Sequence, residues 1–208
     1  MTYSGYQSLE DYKMDVLKEI GNIGAGHAAT ALSQLLNRPV DMKVPQVQML
    51  PFEEVANKVG GPEQIVVAIY FRVEGNATGH LFFMLECQSA KRILSQFMQV
   101  QSEDDYSFSE MELSALSEIG NILSGSYLSS LADFTRLLLS PTIPQLTVDM
   151  AGAVLNYGLI QFGEMGDQAL LIDNRFLDGD EEIEGTFFFI PDPDSFTKIF
   201  TALGVPME

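Results

Sequence analysis

One spaced set of residues occurs twice in this chain with every interval preserved: Asp15, Glu19, Asn22 and Pro45, then Ser114, Glu118, Asn121 and Pro144. The surrounding text repeats with it, EIGNIGAG against EIGNILSG and PQV against PQL, each counterpart lying 99 positions on (114 − 15). The chain is therefore an internal duplication, and whatever one half folds into the other must approximate. A single domain over 1–208 is expected, with a first repeat half at 1–100 and a second at 108–208.

Of the 208 residues, 46% are hydrophobic and 19% charged, enough apolar material for one sizeable core and no sign of global disorder. The formal net charge of −18 repels nucleic acid and anionic lipid, so neither is an expected partner. Cys87, alone of its kind, cannot form an internal disulfide and reads as a half-buried small hydrophobe in a reducing, cytoplasmic setting. The amino terminus lacks the basic-then-apolar pattern of a signal peptide, and no apolar run approaches the roughly 18 residues of a membrane span. No membrane insertion is expected.

Residues 9–36 have helical periodicity, with Leu17, Ile20, Gly21, Gly24, Ala25, Ala28, Leu32 and Leu35 forming one stripe. Ser8 is the expected N-cap and Asn37 to Pro39 the expected end. VDMKVPQVQML reads as extended, QIVVAIYFRV and GHLFFMLE as a hairpin, Ser89–Phe97 as a short helix and QSEDDYS as an acidic linker. The second half repeats the plan: Ser109 caps a helix reaching about Phe134, strands follow near 144–152 and 168–175, and GTFFFIP precedes a last helix, DSFTKIFTAL. Gly185 matches Gly79 at a longer offset, and DNRFLDGDEEIE is the expected site of the extra residues, as an exposed loop without metal-ligand spacing. The fold class this predicts is α+β, a pseudo-twofold symmetric body with long motif helices packed on a mixed β-sheet.

At 3.6 residues per turn, positions 15, 19 and 22 share a sector about 60° wide, as do 114, 118 and 121. That sector faces away from the apolar stripe, so each helix displays a polar ridge. Gly26 and Gly125 fall on the same face one turn beyond the Asn. A helical Gly costs roughly 1 kcal/mol relative to Ala, and bare backbone there lets something approach closely. Gly21, Gly24, Ala25 and Ala28 lie on the stripe, where small size suits tight packing against a sheet or the twin helix. Much of the surrounding helix has diverged, HAATALSQLL against SYLSSLADFT, while the spaced set stands.

Glu with Asn offers no strong nucleophile, His27 and His80 read as ordinary surface or packing residues, no zinc pattern exists, and GNIGAG lies inside a helix without the Lys of a P-loop. What remains is positioning: a fixed amide orients an attacking water and a carboxylate pairs with a cation, both inside an active site mostly supplied by another protein.

Over nearly the whole chain these residues resemble the chemotaxis phosphatases of the CheC/CheX/FliY family, with both motif copies intact. The resemblance implies hydrolysis of the aspartyl phosphate on the response regulator CheY, whose own acidic residues hold Mg²⁺, with no cofactor bound by this chain. It implies that Asn22 and Asn121 position the hydrolytic water, that Glu19 and Glu118 pair with the regulator's active-site Lys, that Asp15 and Ser114 support the ridge, and that Pro45 and Pro144 are structural. It also implies CheD as a partner, for which LTVDMAGAVL, read as a strand bearing Asp149, is a candidate surface. The alternative is a non-catalytic chemotaxis or flagellar-switch adaptor that binds CheY and regulates CheD.

Overall fold

The duplication appears as one order of elements run twice, in a computed structural model that describes residues 4–98, 106–162, 168–178 and 181–204. The first half is α1 (Ser4–Leu36), β1 (Asp41–Lys43), β2 (Val47–Pro51), a short α2 (Val55–Lys58), β3 (Ile65–Gly75), β4 (Gly79–Glu86) and α3 (Cys87–Met98). The second is α4 (Glu110–Thr135), β5 (Leu139–Pro141), β6 (Gln145–Met150), α5 (Ala151–Phe162), β7 (Gln168–Asp178), β8 (Glu181–Pro191) and α6 (Pro193–Ala202). None of the described helices is long and apolar enough to cross a membrane.

All eight strands join one sheet in the order β1-β7-β8-β4-β3-β5, with β2 also on β7 and β6 also on β3. Exchanging the halves reverses this order onto itself. The pseudo-twofold passes between the central strands β4 and β8, where His80 opposite Ile190 is the counterpart of Thr186 opposite Met84. Each half lends its short strands to the other's hairpin: β1 and β2 pair with β7, while β5 and β6 pair with β3. The halves are interlocked, and neither owns a complete sheet.

Every pairing among the described strands is antiparallel, which corrects the expectation of a mixed sheet. Two hairpins supply antiparallel neighbours directly, and a twofold between β4 and β8 makes the junction antiparallel too. The strands read as continuous apolar runs because both faces are covered. Val67, Ile69, Phe71, Leu81, Phe83, Phe187 and Phe189 pack beneath α1, α3, α4 and α6, while Val66, Ala68, Phe82, Met84, Leu171, Phe188 and Ile190 face α2 and α5. Cys87 lies buried in the first of these layers.

Several local expectations shift. Helix α1 begins at Ser4, so Ser8 lies within it rather than capping it; no Pro stands in the way of the longer helix. Leu35 is exposed instead of completing the apolar stripe. Asn37 and Arg136, at equivalent positions, both take left-handed backbone and close the two long helices. Ser109 caps α4 as expected, in a full capping box with Glu112. LTVDMAGAVL is only half strand: β6 stops at Met150, and α5 starts at Ala151, whose N–H donates to Gln64 O (2.9 Å) while Gly152 N–H donates to Pro62 O (2.9 Å). DNRFLDGDEEIE is not a loop over most of its length. The β7–β8 hairpin extends past the Asn174–Gly185 pair to Asp178 opposite Glu181, and Glu182 pairs with Lys43 and Arg175. Residues 101–105 of the acidic linker lie outside the described residues.

Small residues on the buried stripe set how closely the long helices approach. A Cβ at Gly24 would stand 2.6 Å from the Tyr127 ring and 3.2 Å from its Cα, and one at Gly120 would stand 2.6 Å from Ile69. Gly21, by contrast, faces only ordinary contacts, its nearest neighbours lying at 3.5 Å. Gly24→Ala is therefore expected to destabilise the fold by about 1–3 kcal/mol through overpacking. Gly26→Ala, where an added Cβ meets nothing within 4 Å, is expected to stabilise it by up to about 1 kcal/mol. Urea midpoints check the pair, and a Gly24→Ala chain as stable as the parent contradicts the packing described.

Candidate functional site

The two motif helices are oriented by what they bury. Leu17, Ile20, Ala25, Ala28 and Leu32 of α1, and Leu116, Ile119, Leu123, Tyr127, Leu128 and Leu131 of α4, sink into one core. The opposite faces must then meet solvent. Asp15, Glu19 and Asn22 are exposed on α1, as are Ser114, Glu118 and Asn121 on α4. Among the described residues, the side chains of these two Glu and two Asn take no hydrogen bond or ion pair; Asn121 is engaged only through its backbone carbonyl, which accepts from the Ser124 hydroxyl (3.0 Å). The two members of the set at its N-terminal end differ: Ser114 turns its hydroxyl back to Glu110 O (2.8 Å), a bond that the carboxylate of Asp15 cannot donate.

Behind the ridge of α4, Glu112 holds the start of the helix. Its carboxylate accepts from Ser109 N–H (2.7 Å) and from Lys91 Nζ (2.9 Å), which ties α3 to α4. Burial acts to raise the Glu112 pKa, but the bonds from Ser109 and Lys91 outweigh it and hold the carboxyl below its usual range. Under the α4 ridge, Tyr127 donates to Asn174 Oδ1, a buried tie to β7.

Gly26 and Gly125 lie beside the ridges, and an added Cβ at either meets nothing within 4 Å. Packing within this chain therefore does not demand glycine there. Pro45 interrupts the edge between β1 and β2, and Pro144 the edge between β5 and β6, where a residue without an N–H costs no ladder bond. Both breaks border the motif helices, since α1 contacts β1 and β2 and α4 contacts β5 and β6. Asp149 is exposed at the end of β6, its carboxylate accepting from Met150 N–H (2.7 Å).

The histidines stand apart from the ridges' Glu and Asn. His27 is exposed, with Nδ1 3.5 Å from Ser130 Oγ on α4. His80 is fully buried in a polar cluster that sequence periodicity did not reveal. Arg72, bidentate to Asp192, also approaches His80 Nε2 (2.8 Å). A guanidinium has no acceptor, so Nε2 accepts and the ring proton sits on Nδ1, 3.1 Å from the Tyr70 hydroxyl. Burial, then the charge of Arg72, lowers the His80 pKa to about 4, so the ring is neutral near pH 7. Asp192 also accepts from Thr78, and the cluster clamps the end of β8 to β3 and the start of β4. At the equivalent corner of the other half, Asp173 and Thr186 replace Arg72 and His80, and the cluster is absent. This one-sided arrangement reads as structural.

Comparison with known proteins places these features. The model of the CheC-like family matches residues 13–49 and 111–147, the two motif copies with their helices and edge strands. The chain is 40% identical over 206 residues to the CheY-P phosphatase CheC of Bacillus subtilis (strain 168), covering 97% of this chain and 99% of that protein. The crystal structure of Thermotoga maritima FliY superposes with a TM-score of 0.71 at 21% identity, covering 93% of this chain and 96% of that one. The FliM middle domain of H. pylori shares the fold at a TM-score of 0.65 and 11% identity, covering 92% and 98%. The chain belongs to the CheC-like family.

Proposed function

We propose that this chain is a phosphatase that hydrolyses the aspartyl phosphate of CheY, using Glu19 with Asn22 and Glu118 with Asn121 as two half-sites inserted into the regulator's pocket. The observation that carries this reading is the pair of exposed Glu/Asn sets, their side chains without partners among the described residues, on helices backed by the shared core, in a chain 40% identical to a CheY-P phosphatase. In the reaction, water attacks phosphorus in line as the bond to the aspartyl oxygen breaks. The carboxylate leaves with the electron pair, and the water's proton is released as inorganic phosphate forms.

Each Asn amide holds the water in line, and each Glu pairs with the regulator's Lys and sets the depth of insertion. Asp15 and Ser114 flank the Glu one turn earlier. Gly26 and Gly125 leave backbone clear where the regulator's surface comes closest. Mg²⁺ would be held by the regulator's own acidic residues and would there offset the charge on the phosphoryl oxygens, leaving orientation to this chain. The family resemblance adds CheD as a second partner, and exposed Asp149 at the β6–α5 junction is the proposed contact. Undiminished CheD affinity in Asp149→Lys would remove that placement.

The test is decay of phosphate from labelled CheY in the presence of the parent chain, Asn22→Ala, Asn121→Ala and the double variant. Each single change is expected to leave the other half-site working, and the double change to lower kcat/KM by about a hundred-fold. A folded double variant as active as the parent overturns the assignment. Binding of CheY without acceleration in the parent identifies an adaptor instead.

A further inference from the structure

The ridge on each helix is longer than the repeated motif. Reading towards the N-terminus in the same alternating three- and four-residue steps, α1 presents 12, 15, 19, 22 and 26, and α4 presents 111, 114, 118, 121 and 125. This spacing keeps all five positions on one stripe. The added positions are Tyr12 and Met111, which are 54% and 67% exposed; other large apolar side chains are exposed elsewhere, Leu35 with its repeat counterpart Phe134 among them, but these two continue the stripe of the Glu and Asn. The two are equivalent under the duplication. Both halves thus place a large apolar side chain at one end of the ridge and a bare glycine at the other, with the acid or Ser, the Glu and the Asn between.

Exposing a large apolar group at both equivalent positions serves nothing in this chain's core, since α1 and α4 bury their opposite faces. The stripe is instead the arrangement that a partner groove reads from a helix: apolar anchors and polar contacts at i, i+3, i+7 and i+10. Continuity with the Glu and Asn identifies the occupant as the same protein that the ridge enters. We infer that Tyr12 and Met111 are docking anchors for the phosphorylated response regulator, packing on its surface beside the phosphate pocket and setting affinity rather than the chemical step. The inference rests on the phosphatase reading. Tyr12 offers a stiff aromatic ring and Met111 a flexible thioether, so the two half-sites bind the regulator with different strengths.

The experiment separates the sites. Tyr12→Ala is made in a chain carrying Asn121→Ala, which leaves the α1 site active, and Met111→Ala in one carrying Asn22→Ala. Each is expected to raise KM for phosphorylated CheY about five-fold or more with kcat changed less than about two-fold, because an anchor lost equally from ground and transition states alters binding alone. Tyr12→Phe and Met111→Leu are expected to restore KM, which loss of folding would not permit. An unchanged KM, or a fall in kcat at constant KM, overturns the inference. If the double Asn variant proves fully active, the catalytic reading has failed independently. Docking is then judged by titrating beryllofluoride-activated CheY into Tyr12→Ala/Met111→Ala, where unchanged affinity overturns it.

Discussion

The contact on which the rest depends is the close approach of α1 and α4. Gly24 lies against Tyr127 with no room for a Cβ, and Gly120 sits on Ile69 of β3 in the same way. These contacts hold both long helices on one face of a sheet that the two halves share. Once each helix has committed its stripe of Leu, Ile and Ala to that core, the orientation of the other side is decided. Glu19, Asn22, Glu118 and Asn121 are outward because Leu17, Ile20, Leu116 and Ile119 are inward.

The exchange of short strands explains why duplication produced one body instead of two. β1 and β2 complete the hairpin of the second half, and β5 and β6 complete that of the first, around the antiparallel β4–β8 pair. The motif's Pro residues sit in the breaks of these exchanged edges, beside the helix of their own half. Each ridge therefore rests on sheet contributed by both halves. The symmetry is maintained in backbone more than in side chains: the Arg72, His80 and Asp192 cluster has Asp173, Thr186 and Glu86 at its counterpart positions, and Asp15 faces solvent where Ser114 bonds its own helix.

The long helices, the first hairpin and the outward ridges were legible in the sequence because each rests on a local signal: helical period, apolar runs bounded by turn residues, and i, i+4, i+7 spacing. Strand pairing was not, since exchange between halves is a property of the assembled sheet. The antiparallel junction at β4–β8 follows from a symmetry axis that no single window contains. Helix α5 was hidden because MAGAV is short, small and apolar, and its start depends on bonds to Gln64 and Pro62 far away in sequence. The acidic run DNRFLDGDEEIE looked solvated, yet pairing with β1 and the cations Lys43 and Arg175 carries most of it in strand. Of the ridge itself, Tyr12 and Met111 are not legible in the sequence because they differ in type. Their equivalence is visible only when exposure is combined with the repeat.

Two helices backed by one core thus present matched ridges whose chemistry is incomplete without a partner, and what occupies the ridges decides what they do. The most direct measurement is a crystal structure of this chain bound to beryllofluoride-activated CheY with Mg²⁺. Asn22 or Asn121 is expected with its amide about 3 Å from the in-line water position and the neighbouring Glu paired with the regulator's Lys. A regulator seated elsewhere, with both ridges left in solvent, would contradict this placement.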